Sequence, residues 1–85
     1  MPIKSFNVKG HQILVDLMAD GLGKEAVYYD GKEVSSARSV LGGIHKFTVV
    51  EEGQEVNYEV MMKARISQFF GGVPKVELYR NGEKI

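Results

Sequence analysis

The stretch EVNYEVMMKARI, residues 55–66, indicates the fold class of the chain. Its apolar and polar residues alternate, so every second side chain falls on the same side of an extended backbone. A helix would scatter the same apolar residues around its axis. The stretch therefore predicts a half-buried β-strand with one face toward a core. That face carries Val56, Tyr58, Val60, Met62, Ala64 and Ile66.

Shorter segments along the chain show the same alternation. They cover residues 3–8, 11–17, 24–29, 44–50 and 75–79. With residues 55–66 they make six strands, and residues 34–41 and the residues after Asn81-Gly82 bring the expected number to about seven or eight. Short strands without a helical period are typical of a small antiparallel β-sandwich. A length of 85 residues suits one domain. We therefore predict an all-β fold, with a single antiparallel domain over residues 1–85.

Turn-forming dipeptides separate several of these segments. Asp30-Gly31 and Asn81-Gly82 favour a two-residue hairpin turn that needs positive φ at both positions, and Glu52-Gly53 is a third candidate. Residues 34–41 have no clear period, and an edge strand, a loop and a short helix all fit them.

The alternation also predicts which side chains form the core, because one face of each strand must be buried. Outside residues 55–66 the expected core consists of Ile13, Val15, Leu17, Val27, Phe47, Val49, Val76 and Leu78. Within residues 55–66 the expected core consists of Val56, Tyr58, Val60, Met62 and Ile66.

Two segments resemble each other. VYYDGKEV at residues 27–34 and LYRNGEKI at residues 78–85 share an apolar residue, a tyrosine, an Asp or Asn before glycine, and a closing apolar residue. Two hairpins that obey the same turn rules explain this similarity, and so does a duplicated unit.

Composition limits the classes of function. Lys plus Arg and Asp plus Glu each number 11, so the net charge is zero, which argues against nucleic-acid or polybasic membrane binding. No apolar run approaches the roughly 18–20 residues that span a bilayer, and the N-terminus has no apolar block typical of a signal peptide. The absence of cysteine excludes disulfides and thiolate metal sites. We predict a cytoplasmic protein.

Residues suited to catalysis are few. His45 is in phase with Phe47 and Val49, which predicts packing at the rim of the sheet, and His11 is expected to be exposed. The carboxylates of residues 51–55 are interpreted as a solvated hairpin turn. No nucleophile, metal-ligand or phosphate-binding motif is present. We therefore predict a protein that is not an enzyme and needs no cofactor.

Candidate binding residues lie in two places. Phe69 and Phe70 are adjacent, so one ring is expected to point away from the core, beside Val73 in a glycine-rich loop. Both rings capping the end of the sandwich is the alternative. Tyr28 and Tyr29 pose the same question, and an outward tyrosine suits a protein partner or a sugar. The predicted function is a protein-interaction module, and the alternative is a small-ligand or carbohydrate-binding sandwich.

Edge strands offer a further route to a partner. Residues 34–41 carry or adjoin charges that discourage pairing, whereas residues 3–8 carry only Lys4. The first strand is therefore the better predicted site for strand addition by another protein or, in a homo-oligomer, by another copy.

The order of the hairpins resembles the Fas apoptotic inhibitory molecule family. The residues that carry the resemblance are KGHQILVD (9–16), GKEAVYYDGKEV (23–34), IHKFTVV (44–50) and VELYRNGEKI (76–85). The family carries a tryptophan after the first hairpin, and this chain has none. The resemblance implies a compact antiparallel β-sandwich and a non-catalytic, protein-binding role.

Overall fold

A computed structural model of the protein describes residues 3–17, 19, 24–38, 43–63 and 75–85. Every regular element in these ranges is a β-strand. The first four strands are β1 (Ile3–Val8), β2 (His11–Asp16), β3 (Lys24–Tyr29) and β4 (Lys32–Arg38). The second four are β5 (Gly43–Glu51), β6 (Gln54–Lys63), β7 (Lys75–Arg80) and β8 (Glu83–Lys84).

The strands form two four-stranded antiparallel sheets, β1-β2-β3-β4 and β5-β6-β7-β8, in which each strand pairs with its neighbours in sequence. The sheets belong to two compact units, Met1–Val40 and Leu41–Ile85. The predicted all-β antiparallel class is confirmed, and two such sheets match the strand content of a small β-sandwich. The single domain over residues 1–85 stays a prediction.

Four hairpins close on two-residue turns of the same kind. The first turn residue has φ of 49–51° and the glycine after it has φ of 79–86°, the values of a type I′ turn. Three of the four turns were expected from their dipeptides, and the fourth is Lys9-Gly10. Glycine is required at the second position because a side chain there is strained at such φ.

The core agrees with the alternation. Of the predicted residues, the buried ones are Ile13, Val15, Leu17, Val27, Phe47, Val56, Tyr58, Val60, Met62 and Leu78. Val49 and Val76 are half-buried. Ala64 and Ile66 lie outside the described residues. Val8 and Ala26 are also buried.

The uncertain segment at residues 34–41 is resolved in part. Its first five residues belong to β4, an edge strand of the first sheet, so the edge-strand alternative is correct there. The register between β3 and β4 shifts after Val27, which opposes Ser35 while Tyr28 opposes Glu33. Val34 is therefore the extra residue of a β-bulge. Residues 39–41 lie outside the described part.

The two units follow one plan. In β1 and β2, Phe6 lies opposite Ile13, and in β5 and β6, Phe47 lies opposite Tyr58. Asp30-Gly31 is the turn that joins β3 to β4, and Asn81-Gly82 is the turn that joins β7 to β8. Residues 27–34 and 78–85 therefore both form the last hairpin of a four-stranded sheet. The two similar segments occupy the same position in the two sheets.

Candidate functional site

The binding residues predicted from sequence are placed only in part. Phe69, Phe70 and Val73 lie outside the described residues, so their roles stay predictions. Tyr28 is half-buried on β3, opposite Leu14 on one side. Tyr29 points to the other face and stacks on the imidazole of His11, with ring centroids 5.1 Å apart. Tyr28 and Tyr29 are both half-buried, so which of them faces outward, and binding by Tyr28, stay predictions.

Both histidines take part in the fold. His11 is half-buried, and its Nδ1 lies 2.7 Å from Oδ2 of Asp30. His45 is only 4% exposed on β5, so the expectation of a packed histidine is correct. No group of three His, Asp or Glu side chains suited to a metal ion occurs in the described ranges. The same ranges contain no helix of the length and apolarity needed to cross a bilayer.

β5 is the edge strand with the most exposed apolar surface. It is nine residues long, and among the described strands it pairs only with β6. Its side chains alternate strictly between the core and solvent. The outward side chains are those of Ile44, Lys46, Thr48 and Val50. Ile44 is 52% exposed and Val50 is 68% exposed, so the edge carries an apolar side chain toward each end.

The backbone of these outward residues also faces the open edge. Asn57 on β6 directs both its N–H and its carbonyl to Asn81, beyond the end of β7. Thr48 lies opposite Asn57 in the pairing of β5 with β6. Since the N–H and carbonyl of Asn57 point away from β5, the N–H and carbonyl of Thr48 point away from β6, as they do at a pair of residues without mutual hydrogen bonds. Because these directions alternate along a strand, the same applies at every second residue. The N–H and carbonyl groups of Ile44, Lys46, Thr48 and Val50 therefore face an edge along which no other described strand is paired.

The other edges are shorter or more polar. β1 has six residues, and its edge-facing Ser5 and Asn7 are polar and exposed. β4 begins with exposed Lys32 and Glu33, and β8 has only two residues. The sequence ranked the first strand as the better site for strand addition. Strand addition at the first strand stays a prediction, and β5 differs from β1 in that two large, exposed apolar side chains, Ile44 and Val50, lie along its edge.

A buried polar cluster fixes the hairpin end of β5. The Tyr58 hydroxyl donates to Oε2 of Glu51 at 2.6 Å, and Nη2 of Arg80 donates to Oε1 of the same carboxylate at 2.9 Å. Nε of Arg80 also donates to the Tyr58 hydroxyl at 3.3 Å. The interpretation of Glu51 as part of a solvated turn is therefore wrong. It is 6% exposed because it is in phase with the buried residues of β5.

Burial and charge determine the state of this cluster. Burial, followed by the hydrogen bond to Glu51, raises the pKa of Tyr58 to about 12, so the phenol stays neutral. The Tyr58 ring also stacks on Phe47 at 5.2 Å between centroids. The cluster links β5, β6 and β7, and it holds the edge strand in a fixed position.

A shallow depression of about 310 Å³ lies on the β5–β6 hairpin. Across its middle, the Thr48 hydroxyl donates to Oδ1 of Asn57 at 2.8 Å. Lysine, glutamate and amide side chains around it can all form hydrogen bonds with a polar ligand. It is lined by Lys46, Phe47, Thr48, Asn57, Tyr58 and Glu59.

Comparison with known proteins gives no relative for this chain: no family model, curated protein or solved structure matches it.

Proposed function

We propose that the protein is a non-enzymatic protein-interaction module that binds an extended polypeptide segment along the edge of β5. The observation that carries the proposal is the coincidence, in one strand, of exposed Ile44 and Val50 with backbone groups that no other described strand pairs. An added strand would satisfy the backbone groups and cover the two apolar side chains.

The chemistry of the edge defines the segment that it would accept. Main-chain hydrogen bonds supply affinity without regard to sequence, while alternate side chains supply selectivity. Ile44 and Val50 favour apolar or β-branched side chains opposite them. Lys46 between them favours a polar or acidic side chain. The matching partner is therefore an extended segment with apolar residues near both ends and a polar or acidic centre.

Further observations support a non-catalytic role. His11 is hydrogen-bonded to Asp30 and stacked on Tyr29, and His45 is buried. Both are thus used in packing and in holding a turn. The resemblance to the Fas apoptotic inhibitory molecule family implies the same kind of role.

Binding of displayed peptides tests the proposal. A library of extended peptides would be screened against the wild type, against Thr48→Pro and against Asn7→Pro. Each proline removes an N–H that faces an open edge, so neither removes a backbone hydrogen bond within its own sheet. Thr48→Pro also loses the hydroxyl that donates to Asn57, so Thr48→Val, which loses only the hydroxyl, is its matched control. We expect binders that are lost with Thr48→Pro and kept with Asn7→Pro, with circular dichroism confirming that both variants fold. Binders that survive Thr48→Pro, or a library without binders at a protein concentration where the wild type is monomeric, would contradict the proposal.

The depression favours the alternative function, a small-ligand or carbohydrate-binding protein. Its rim offers the ammonium of Lys46, the amide of Asn57 and the carboxylate of Glu59, groups that suit the hydroxyls of a sugar. A glycan array would test it. Signal on the array that disappears with Glu59→Ala and persists with Asn7→Pro would favour this alternative.

A further inference from the structure

We propose that the partner of the β5 edge is a second copy of this chain, paired antiparallel to β5 about a twofold axis that passes beside Phe47. This inference rests on the proposed function, because it names the strand that the edge accepts. It follows from the spacing of the outward residues along β5.

The twofold axis makes β5 complementary to itself. In antiparallel self-pairing centred on Phe47, Ile44 lies opposite Val50 of the second copy, and Val50 lies opposite its Ile44. The two exposed apolar side chains of the strand thus cover each other twice. Lys46 lies opposite Thr48 of the second copy, so no two like charges face each other directly.

The backbone agrees with the same register. Ile44, Lys46, Thr48 and Val50 direct their N–H and carbonyl groups to the open edge, and they are the residues that this register brings face to face. Residues that face each other in this way exchange two hydrogen bonds per pair. About eight new backbone hydrogen bonds would join the two sheets.

Neighbouring registers are less favourable. A shift of two residues in one direction places Lys46 opposite Lys46 of the second copy, a like-charge pair at the centre of the interface. The opposite shift places Lys46 against Val50 and leaves Ile44 against the turn residue Glu52. Only the register centred on Phe47 pairs both apolar residues and separates the two lysines.

Electrostatics permits the approach of two copies. The chain has 11 basic and 11 acidic residues, so no net charge repels a second copy. Lys46, the one charged side chain on the outward face of β5, lies opposite Glu59 on β6. The carboxylate of Glu59 therefore offsets the charge of Lys46 at the centre of the interface.

Sedimentation equilibrium over a concentration series tests the inference. We expect the wild type to dimerise and Val50→Lys to weaken the dimer roughly tenfold or more, since a charge then replaces an apolar contact at two places. Asn7→Pro, at the β1 edge, is the control that should leave the dimer unchanged. Circular dichroism would confirm that each variant folds. A wild type that stays monomeric up to millimolar concentration, or a dimer indifferent to Val50→Lys, would overturn the inference.

A charge pair tests the register itself. Thr48→Glu places a carboxylate opposite Lys46 of the second copy and should tighten the dimer several-fold, whereas Thr48→Lys should weaken it by a similar factor. Both variants lose the same hydroxyl, so they are matched. If Thr48 instead faced its own symmetry mate, both variants would weaken the dimer, and the register would be wrong.

The same samples separate this inference from the proposed function. A monomeric wild type that binds peptides at the β5 edge would overturn the inference and leave the proposed function intact. A dimer lost with Val50→Lys, together with peptides that compete with dimerisation, would support both. A monomer that binds no peptide would contradict both.

Discussion

Asp30 and Asn81 make the same pair of hydrogen bonds in the two units. Oδ1 of Asp30 accepts from the backbone N–H of Gln12 at 2.8 Å, and Oδ1 of Asn81 accepts from that of Asn57 at 3.0 Å. Each residue also donates its own backbone N–H to the carbonyl of the same partner, at 2.8 and 2.7 Å. Asp30 therefore extends the hydrogen bonding between β2 and β3 by one residue beyond the end of β3. Asn81 does the same for β6 and β7.

These side chains should stabilise the turns measurably. We expect Asp30→Gly and Asn81→Gly each to lower the free energy of unfolding by about 1–2 kcal/mol, because a backbone N–H loses its acceptor while glycine tolerates the positive φ. Chemical denaturation would measure the change. Lys9→Gly is the control, since Lys9 has φ of 50° and no acceptor in its side chain, and it should be neutral or stabilising. An equal fall in the free energy of unfolding at all three positions would mean that the introduced glycine, and not the lost hydrogen bond, causes the change.

The raised pKa of Tyr58 predicts a loss of stability at high pH. Below pH 10 the phenol is protonated in both the folded and the unfolded chain, and its contribution is complete. As pH rises from 10.0, the unfolded value, to about 12, the folded value, the unfolded chain loses the proton first. The free energy of unfolding should therefore fall by about 2–3 kcal/mol across this window.

Tyr58→Phe isolates this effect from other groups that titrate at high pH. The variant keeps the ring that stacks on Phe47 and has no phenolic proton. Subtracting its curve of stability against pH from that of the wild type should leave the fall between pH 10 and 12. Parallel curves for the two proteins would show that Tyr58 is not the group responsible.

The cluster at the end of β5 should depend on its negative charge. Glu51→Gln removes the carboxylate that accepts from both Tyr58 and Arg80, so we expect a loss of about 1–3 kcal/mol in the free energy of unfolding. Glu52→Gln, at the next residue, is exposed and should change stability by less than about 0.5 kcal/mol. Urea denaturation at pH 7 compares the two. Similar losses for both would mean that the buried position of Glu51 is not what matters.

The alternation along the strands can be tested with two valines. Val60 is fully buried, and Val60→Ala should cost about 1–3 kcal/mol because it leaves a cavity. Val50 is 68% exposed, and Val50→Ala should cost less than about 0.5 kcal/mol. Thermal unfolding at a protein concentration where sedimentation equilibrium shows only monomer makes the comparison without a contribution from self-association. A larger loss at Val50 would reverse the assignment of inward and outward faces.

Local pattern predicted the strands and most of the core, because the period of a strand fixes which side chains share a face. The same pattern placed Glu51 on the inward face of its strand, together with Phe47 and Val49. A glutamate beside a turn suggests solvent, however, and its partner Arg80 lies two strands away. That pairing depends on the register across β5, β6 and β7, which no single segment determines.

The candidate site was harder to predict for a related reason. A strand becomes an edge only through the order of strands in its sheet, and alternation along one segment does not contain that order. Ile44 and Val50 are typical strand residues in the sequence, and their exposure follows from the place of β5 at the end of its sheet. Lys9-Gly10 is not a typical turn dipeptide, so the first hairpin depended on pairing between β1 and β2.

The sheet order also has a consequence for how the chain folds. Each described strand pairs only with its immediate neighbours in sequence, and the longest connection between paired strands is residues 64–74. The cost of loop closure in sheet pairing is therefore modest. Such local pairing gives a low contact order for an all-β protein, and we expect folding that is fast for this class. The first sheet can complete its pairing before β5 has left the ribosome, and within each sheet the second hairpin pairs with the first, which was synthesised just before it.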